Sequence, residues 1–280
     1  GLDSAPADLL LRRWRSRLPC IGALLDAGGG VLRSCDPPIT VPAWSVMLSA
    51  RDPGELGCYG FRDRRSHRYG DLALASARSL SAPRVWDLIG AAGLRSILVG
   101  VPQTYPPPAL RGAALSCFLT PSQAAVTTTP ADLGAELAAR VGAYAFDVGE
   151  FRGGDRAALL RRIYDKTGQD FAVAQHLLGS REWDFFMMVV MGTDRIQHAF
   201  WPAPECADDD PAWQVLFDYY RWLDDRIAEL LVTLGSETVV LLVSDHGAKA
   251  MRGGICLNEW LLRAGWLHLR DRPARPTALR

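Results

Sequence analysis

The 280-residue sequence lacks net charge, paired cysteines and long apolar runs. Lysine plus arginine total 31, as do aspartate plus glutamate, so no global field steers the chain toward a nucleic-acid polymer. Lysine itself is nearly absent, and arginine carries almost all the positive charge. No stretch approaches the roughly 20 apolar residues that span a bilayer. The longest clean one, residues 185–192, is strand-sized. The six cysteines (Cys20, Cys35, Cys58, Cys117, Cys206, Cys256) form no CxxC pair. Scattered in this way they read as reduced, mostly buried small residues, which favours a reducing, cytoplasmic compartment. No Gly-x-Ser-x-Gly elbow is present, which disfavours a serine hydrolase. Gly28-Gly29-Gly30 follows a helical stretch without the G-x-G-x-x-G spacing of a dinucleotide site.

What the sequence does have is ordinary globular composition, with 49% hydrophobic and 22% charged residues, enough to bury a full core. Apolar runs at 96–101, 184–191 and 238–243 predict buried parallel strands. Residues 83–92, 155–178 and 213–234 carry helical spacing, the first opened by Pro83 and closed by Gly93. Strands alternating with helices predict one α/β domain over 1–280, with a mostly parallel sheet and helices on both faces. Residues 102–130, rich in Pro, Thr and Ser, predict a long loop or cap near the carboxyl end of the sheet. Asp208-Asp209-Asp210 in the 202–211 loop reads as a solvated surface turn rather than a cation site. Gly1-Leu2-Asp3 reads as the exit of a strand, and residues 270–280 trail off without closing an element. Both ends therefore read as interruptions of a longer protein.

Three motifs carry chemistry. Ser244-Asp245-His246-Gly247 follows an apolar run, so Asp245 and His246 are expected at the carboxyl end of a strand, where open α/β sheets bind ligands. Gly247 permits the sharp turn that lets both side chains reach one ion; the plainer alternative is an Asp N-cap with an incidental His. Asp194 and His198, in Gly192-Thr193-Asp194-Arg195-Ile196-Gln197-His198, stand at i and i+4 and share a face if the segment is helical. A carboxylate and an imidazole make a usual partial set for zinc or manganese. In Pro38-Ile39-Thr40-Val41-Pro42, Thr40 precedes a helix expected near Pro42, where free N–H groups favour phosphate. Its alternative is a simple Thr N-cap.

In this order, Gly1-Leu2-Asp3, Pro37-Pro38-Ile39-Thr40-Val41-Pro42-Ala43-Trp44, Asp194-x-x-x-His198 and Ser244-Asp245-His246-Gly247 resemble the type I phosphodiesterase/nucleotide pyrophosphatase branch of the alkaline phosphatase superfamily. Residues 54–61 resemble the segment that follows the nucleophile helix in that branch. The resemblance implies a phosphate-ester hydrolase with Thr40 as nucleophile and two divalent ions, zinc or else manganese. One ion would be held by Asp3, Asp245, His246 and the Thr40 oxygen, the other by Asp194 and His198. It also implies a small-molecule phosphate ester as substrate and a phosphothreonine intermediate.

The sequence departs from the family pattern in two places. Ala43 stands where the family carries a phosphate-binding asparagine; Lys249 and Arg195, close in sequence to the metal ligands, are the candidate replacement clamps, but each reads first as a solvated surface charge. The third ligand of the Asp194/His198 site, a downstream histidine in the family, has no match. His268 comes too soon, in a stretch (266–269) that reads as a strand, and His67 and His176 sit in no matching motif. The second site is therefore expected to hold metal weakly. A phosphomutase with the same core and a non-catalytic metal-binding relic are the alternatives. A sulfatase is disfavoured because Ile39 stands where its C/S-x-P-x-R motif requires arginine.

Overall fold

The computed structural model describes residues 1–270, apart from 65, 67–70, 122, 123, 125, 150–153 and 208. Its strands are β1 (Arg62–Arg64), β2 (Leu72–Leu74), β3 (Ser96–Val99), β4 (Gly112–Leu115), β5 (Thr128–Thr129) and β6 (Phe185–Met188). Its α-helices are α1 (Pro19–Ala27), α2 (Thr40–Ser49), α3 (Pro53–Leu56), α4 (Val85–Ala91), α5 (Leu133–Val141), α6 (Arg156–Ser180), α7 (Gly192–Phe200), α8 (Gln214–Val232) and α9 (Leu257–Arg263).

Three consecutive aliphatic residues opened by a small serine fit the middle of a sheet covered on both sides. All four residues of β3 are buried, and β3 pairs in parallel with β4 on one side and β6 on the other. β5 adds antiparallel to β4, giving the order β5-β4-β3-β6. Alternate side chains of β3 feed separate cores. Ile97 and Val99 pack with Ile163, Leu177, Ile196, Tyr219 and Leu223 from α6, α7 and α8. Leu98 packs on the opposite face with Trp44 of α2 and Trp86 of α4. The expected α/β sheet with helices on both faces is what forms.

The three predicted helices correspond to α4, α6 and α8, and the first two predicted strands to β3 and β6. The third does not form. Residues 238–242 belong to no strand, with Val239 85% and Leu241 79% exposed. A strand needs a neighbour along its length, and here one backbone bond joins the run to a neighbouring segment, Leu2 N–H to the Val243 carbonyl at 2.8 Å, while Thr238 N–H only closes a turn onto Gly235. Leu2 in turn bridges in parallel to Val190, so residues 1–3 lie between the exit of β6 and Val243. The 266–269 stretch is likewise no strand.

Residues 102–130, expected as a long loop or cap, are not irregular throughout. This segment contains β4 and β5, because Ala113, Ala114 and Leu115 are small and apolar enough to fill the slot beside β3. The described residues of 102–111 and 116–127 belong to no helix or strand, and within the first of these stretches Gln103 is buried, its side-chain oxygen accepting from the Ser45 hydroxyl on α2. The described cysteines are all free, and only Cys58 and Cys117 are buried, fewer than the sequence suggested. No helix among the described residues is long and apolar enough to cross a membrane.

Candidate metal centre

Two short backbone segments are zipped together at the exit of β6. Ser4 N–H donates to Asp245 Oδ1 at 3.0 Å, Ala5 N–H to Ser244 Oγ at 2.9 Å, and Ser244 Oγ–H to the His246 carbonyl at 2.8 Å. This brings Asp3, Asp245 and His246 side by side, with one ligating atom from each within 4.8 Å of the others. From α7, Thr193 Oγ1–H donates to the Asp3 carbonyl at 2.6 Å and Gln197 Nε2–H to the Ser4 carbonyl at 3.0 Å. The helix carrying Asp194 therefore also fixes the backbone that presents Asp3.

Thr40 joins them from the start of α2. The N-cap is Ile39, and no side chain caps the helix, so the simple N-cap reading of Thr40 does not hold. Instead its hydroxyl donates to Asp3 Oδ1 at 3.3 Å and lies 3.3 Å from His246 Nε2. The first-turn N–H groups of α2 have no helical carbonyl partner and point to the same end.

The cluster suits a cation. His246 Nδ1 sits 2.9 Å from the Gly247 carbonyl, which can only accept, so Nδ1 carries the proton and Nε2 presents its lone pair. That lone pair lies 3.8 Å from Asp3 Oδ1 and 3.3 Å from Asp245 Oδ2. Asp245 Oδ2 is buried and has no hydrogen-bond partner. Burial pushes the Asp3 carboxyl well above its usual range, with the neighbouring Asp245 and Asp194 adding to the effect. Burial likewise raises Asp245 to about 6. Three electron-pair donors converging without a positive charge form an arrangement that a divalent ion relieves.

The model of the type I phosphodiesterase/nucleotide pyrophosphatase family matches residues 1–279. The chain belongs to that family. No sequence among the curated proteins matches it. Among solved structures it resembles phosphonoacetate hydrolase from Sinorhizobium meliloti 1021. The complex with phosphonoformate matches at 17% identity and a TM-score of 0.45, and the complex with phosphonoacetate at 18% and 0.48. Each match covers 80% of this chain and 52% of the other, so the chain spans about half the length of those structures.

The family's remaining residues divide. Asp194 and His198 share a face of α7, with Asp194 Oδ1 and His198 Nε2 3.5 Å apart. Among the described residues no third His, Cys, Asp or Glu completes a compact group with them. His176 is paired with Glu136 at 2.6 Å, His268 is exposed, and His67 and Asp208 lie outside the described residues. Arg195 is neither a solvated charge nor a free phosphate clamp. It is buried, its guanidinium grips both oxygens of Asp147 at 2.8 Å, and its third nitrogen bonds Asp194 Oδ2. Lys249 is exposed, and Ala43 is buried in α2.

Several supporting residues had escaped the sequence reading. Asp147 had no signal at all, since it stands 48 positions before Arg195. It is held by a latch on α6, where Gln169 bonds the backbone of 141, 143 and 145 and Lys166 Nζ donates to the Tyr144 hydroxyl at 3.0 Å. Thr193 and Gln197 lie inside the Asp194–His198 motif and were legible as neighbours, though not as braces of residues 3 and 4.

Proposed function

We propose that this chain carries the catalytic centre of a phosphate-ester hydrolase in which Thr40 is the nucleophile. The observation that carries the reading is the position of the Thr40 hydroxyl, 3.3 Å from both Asp3 Oδ1 and His246 Nε2 at the start of α2. The family supports the reaction class. Asp3, Asp245 and His246 would hold one divalent ion, zinc or manganese by donor type, and Asp194 with His198 would contribute to a second, weaker site. Bound there, such ions supply positive charge beside the attacking oxygen and the phosphoryl group.

The protein's own groups do the rest. The helix start gives the incoming phosphate unpaired N–H donors and the positive end of the α2 dipole. Asp3 Oδ1 accepts a hydrogen bond from the Thr40 hydroxyl, orienting the oxygen lone pairs away from the carboxylate and toward substrate. Attack of the Thr40 oxygen forms the Oγ1–P bond as the P–O bond to the leaving group breaks, and the proton given up by the hydroxyl ends on the departing oxygen as the alcohol. Water then cleaves the phosphothreonine, so that one difficult displacement becomes two easier ones. Arg195, committed to Asp147 and Asp194, orients a ligand and leaves the phosphate to the helix start and the centre.

The test is substitution of the hydroxyl. Thr40→Ala is expected to abolish hydrolysis of simple phosphate mono- and diesters while leaving the fold intact. Thr40→Ser is expected to keep part of the activity. Wild-type turnover by the alanine variant would remove Thr40 from the mechanism.

A further inference from the structure

Each carboxylate of the centre has one oxygen tied to the protein and one turned inward. For Asp245 the tie is the Ser4 N–H, and for Asp194 it is Arg195. For Asp3 it is an indole. Trp44 stands four residues after Thr40 on α2, hence on the same face one turn on. Its ring is 0% exposed, packed with Leu98, Trp86 and Val189. Its single polar atom, Nε1, donates to Asp3 Oδ2 at 2.7 Å. Asp3 Oδ1 is thereby the oxygen left facing Thr40 and His246.

We propose that Trp44 is a positioning residue that holds Asp3 as a one-oxygen ligand and so sets the coordination of the ion beside Thr40. The inference rests on the metal-centre reading above. A carboxylate can bind an ion through one oxygen or both. A short bond from a buried N–H to Oδ2 stabilises the one-oxygen mode, because using both oxygens would mean giving up a charge-assisted bond in a dry site. The bond also fixes the rotation of the carboxylate, which no other side chain among the described residues does from that side. An apolar ring at position 44 would fill the same core without either effect.

Trp86 is the internal control. It is 1% exposed in the same core cluster, and its Nε1 has no hydrogen-bond partner. Trp44→Phe and Trp86→Phe each remove an indole from one core, but only the first removes a bond to Asp3. In Co²⁺ titrations of the full chain, Trp44→Phe is expected to weaken the tighter site by about 10- to 100-fold, the usual effect of losing a partner behind a metal ligand. It should also change the visible absorption of the bound cobalt, which reports coordination number. Trp86→Phe is expected to leave both as in the wild type. If Trp44→Phe does not fold, the wild-type chain still provides the test through the indole N–H resonances. Zn²⁺ at stoichiometric amounts should shift that of Trp44 and leave that of Trp86 in place. Wild-type protein that binds no Co²⁺ would overturn the metal centre itself. Bound Co²⁺ with the same affinity and spectrum in both variants, or a Trp44 N–H indifferent to bound Zn²⁺, would overturn the role of Trp44 alone.

Discussion

Gly192 opens α7, the helix that carries Thr193 and Asp194, and it sits where two other helices leave no room. A Cβ at this position would fall well inside contact distance of Tyr219 Oη and Thr167 Oγ1. Those two hydroxyls are 0% exposed and bond one another at 2.8 Å. Gly192→Ala must therefore move α7 away from α6 and α8 or separate the two hydroxyls. Overpacking of a tight core costs about 1–3 kcal/mol, and loss of one buried hydrogen bond adds about 1 kcal/mol. The expected destabilisation is roughly 3 kcal/mol, or about 5 °C in Tm for a chain of this size. Urea denaturation followed by circular dichroism measures it. In a Thr167→Ala/Tyr219→Phe background both hydroxyls are gone and only the ring carbon Cζ, 3.1 Å away, stays close, so the same Gly192→Ala change should cost only about 1 kcal/mol. An equal cost in both backgrounds would show that the close approach to these hydroxyls is not why the position is glycine.

Two further outcomes follow from the buried charges. Arg195→Met leaves the carboxylates of Asp194 and Asp147 facing each other without a cation, and breaking such a buried pair costs about 3 kcal/mol. A loss below about 1 kcal/mol in urea would mean that the triad is not a stabilising unit. In the metal-free chain the folded-state pKa of Asp245 is raised to about 6 from 3.8. The folded state therefore holds a proton there that the unfolded state has released. This contribution is fully present below about pH 4 and is lost as pH rises through about 6. It is worth on the order of a few kcal/mol. Melting curves in EDTA should show the wild type losing stability relative to Asp245→Asn across that window, and parallel curves would contradict the burial argument.

The layout of the site was legible in the sequence where a motif is continuous. Asp245-His246 and Asp194-x-x-x-His198 needed only local geometry to be recognised, and α7 places the latter pair on one face as the spacing required. What depends on distant partners was not legible. Residues 238–243 have the composition of a strand, but pairing is a property of neighbours, and here only Val243 has one. β4 was hidden because Gly112-Ala113-Ala114-Leu115 is a weak strand signal set among prolines, and only its place beside β3 makes it a strand. Arg195 read as a surface cation because the carboxylate that binds it through two nitrogens, Asp147, lies on a separate loop latched to α6. Trp44 carried a partial signal, its helical register with Thr40, but an indole in a core pattern gives no hint that its N–H meets a carboxylate.

The central claim is that Thr40 forms a bond to phosphorus, and acid quenching during turnover of the metal-loaded chain tests it most directly. Mass spectrometry of the digested protein should find a phosphoryl group on the peptide containing Thr40, present with a slow phosphate-ester substrate and absent from Thr40→Ala. Steady hydrolysis with no phosphorylated peptide at any quench time, or with the phosphoryl group on another residue, would contradict the account.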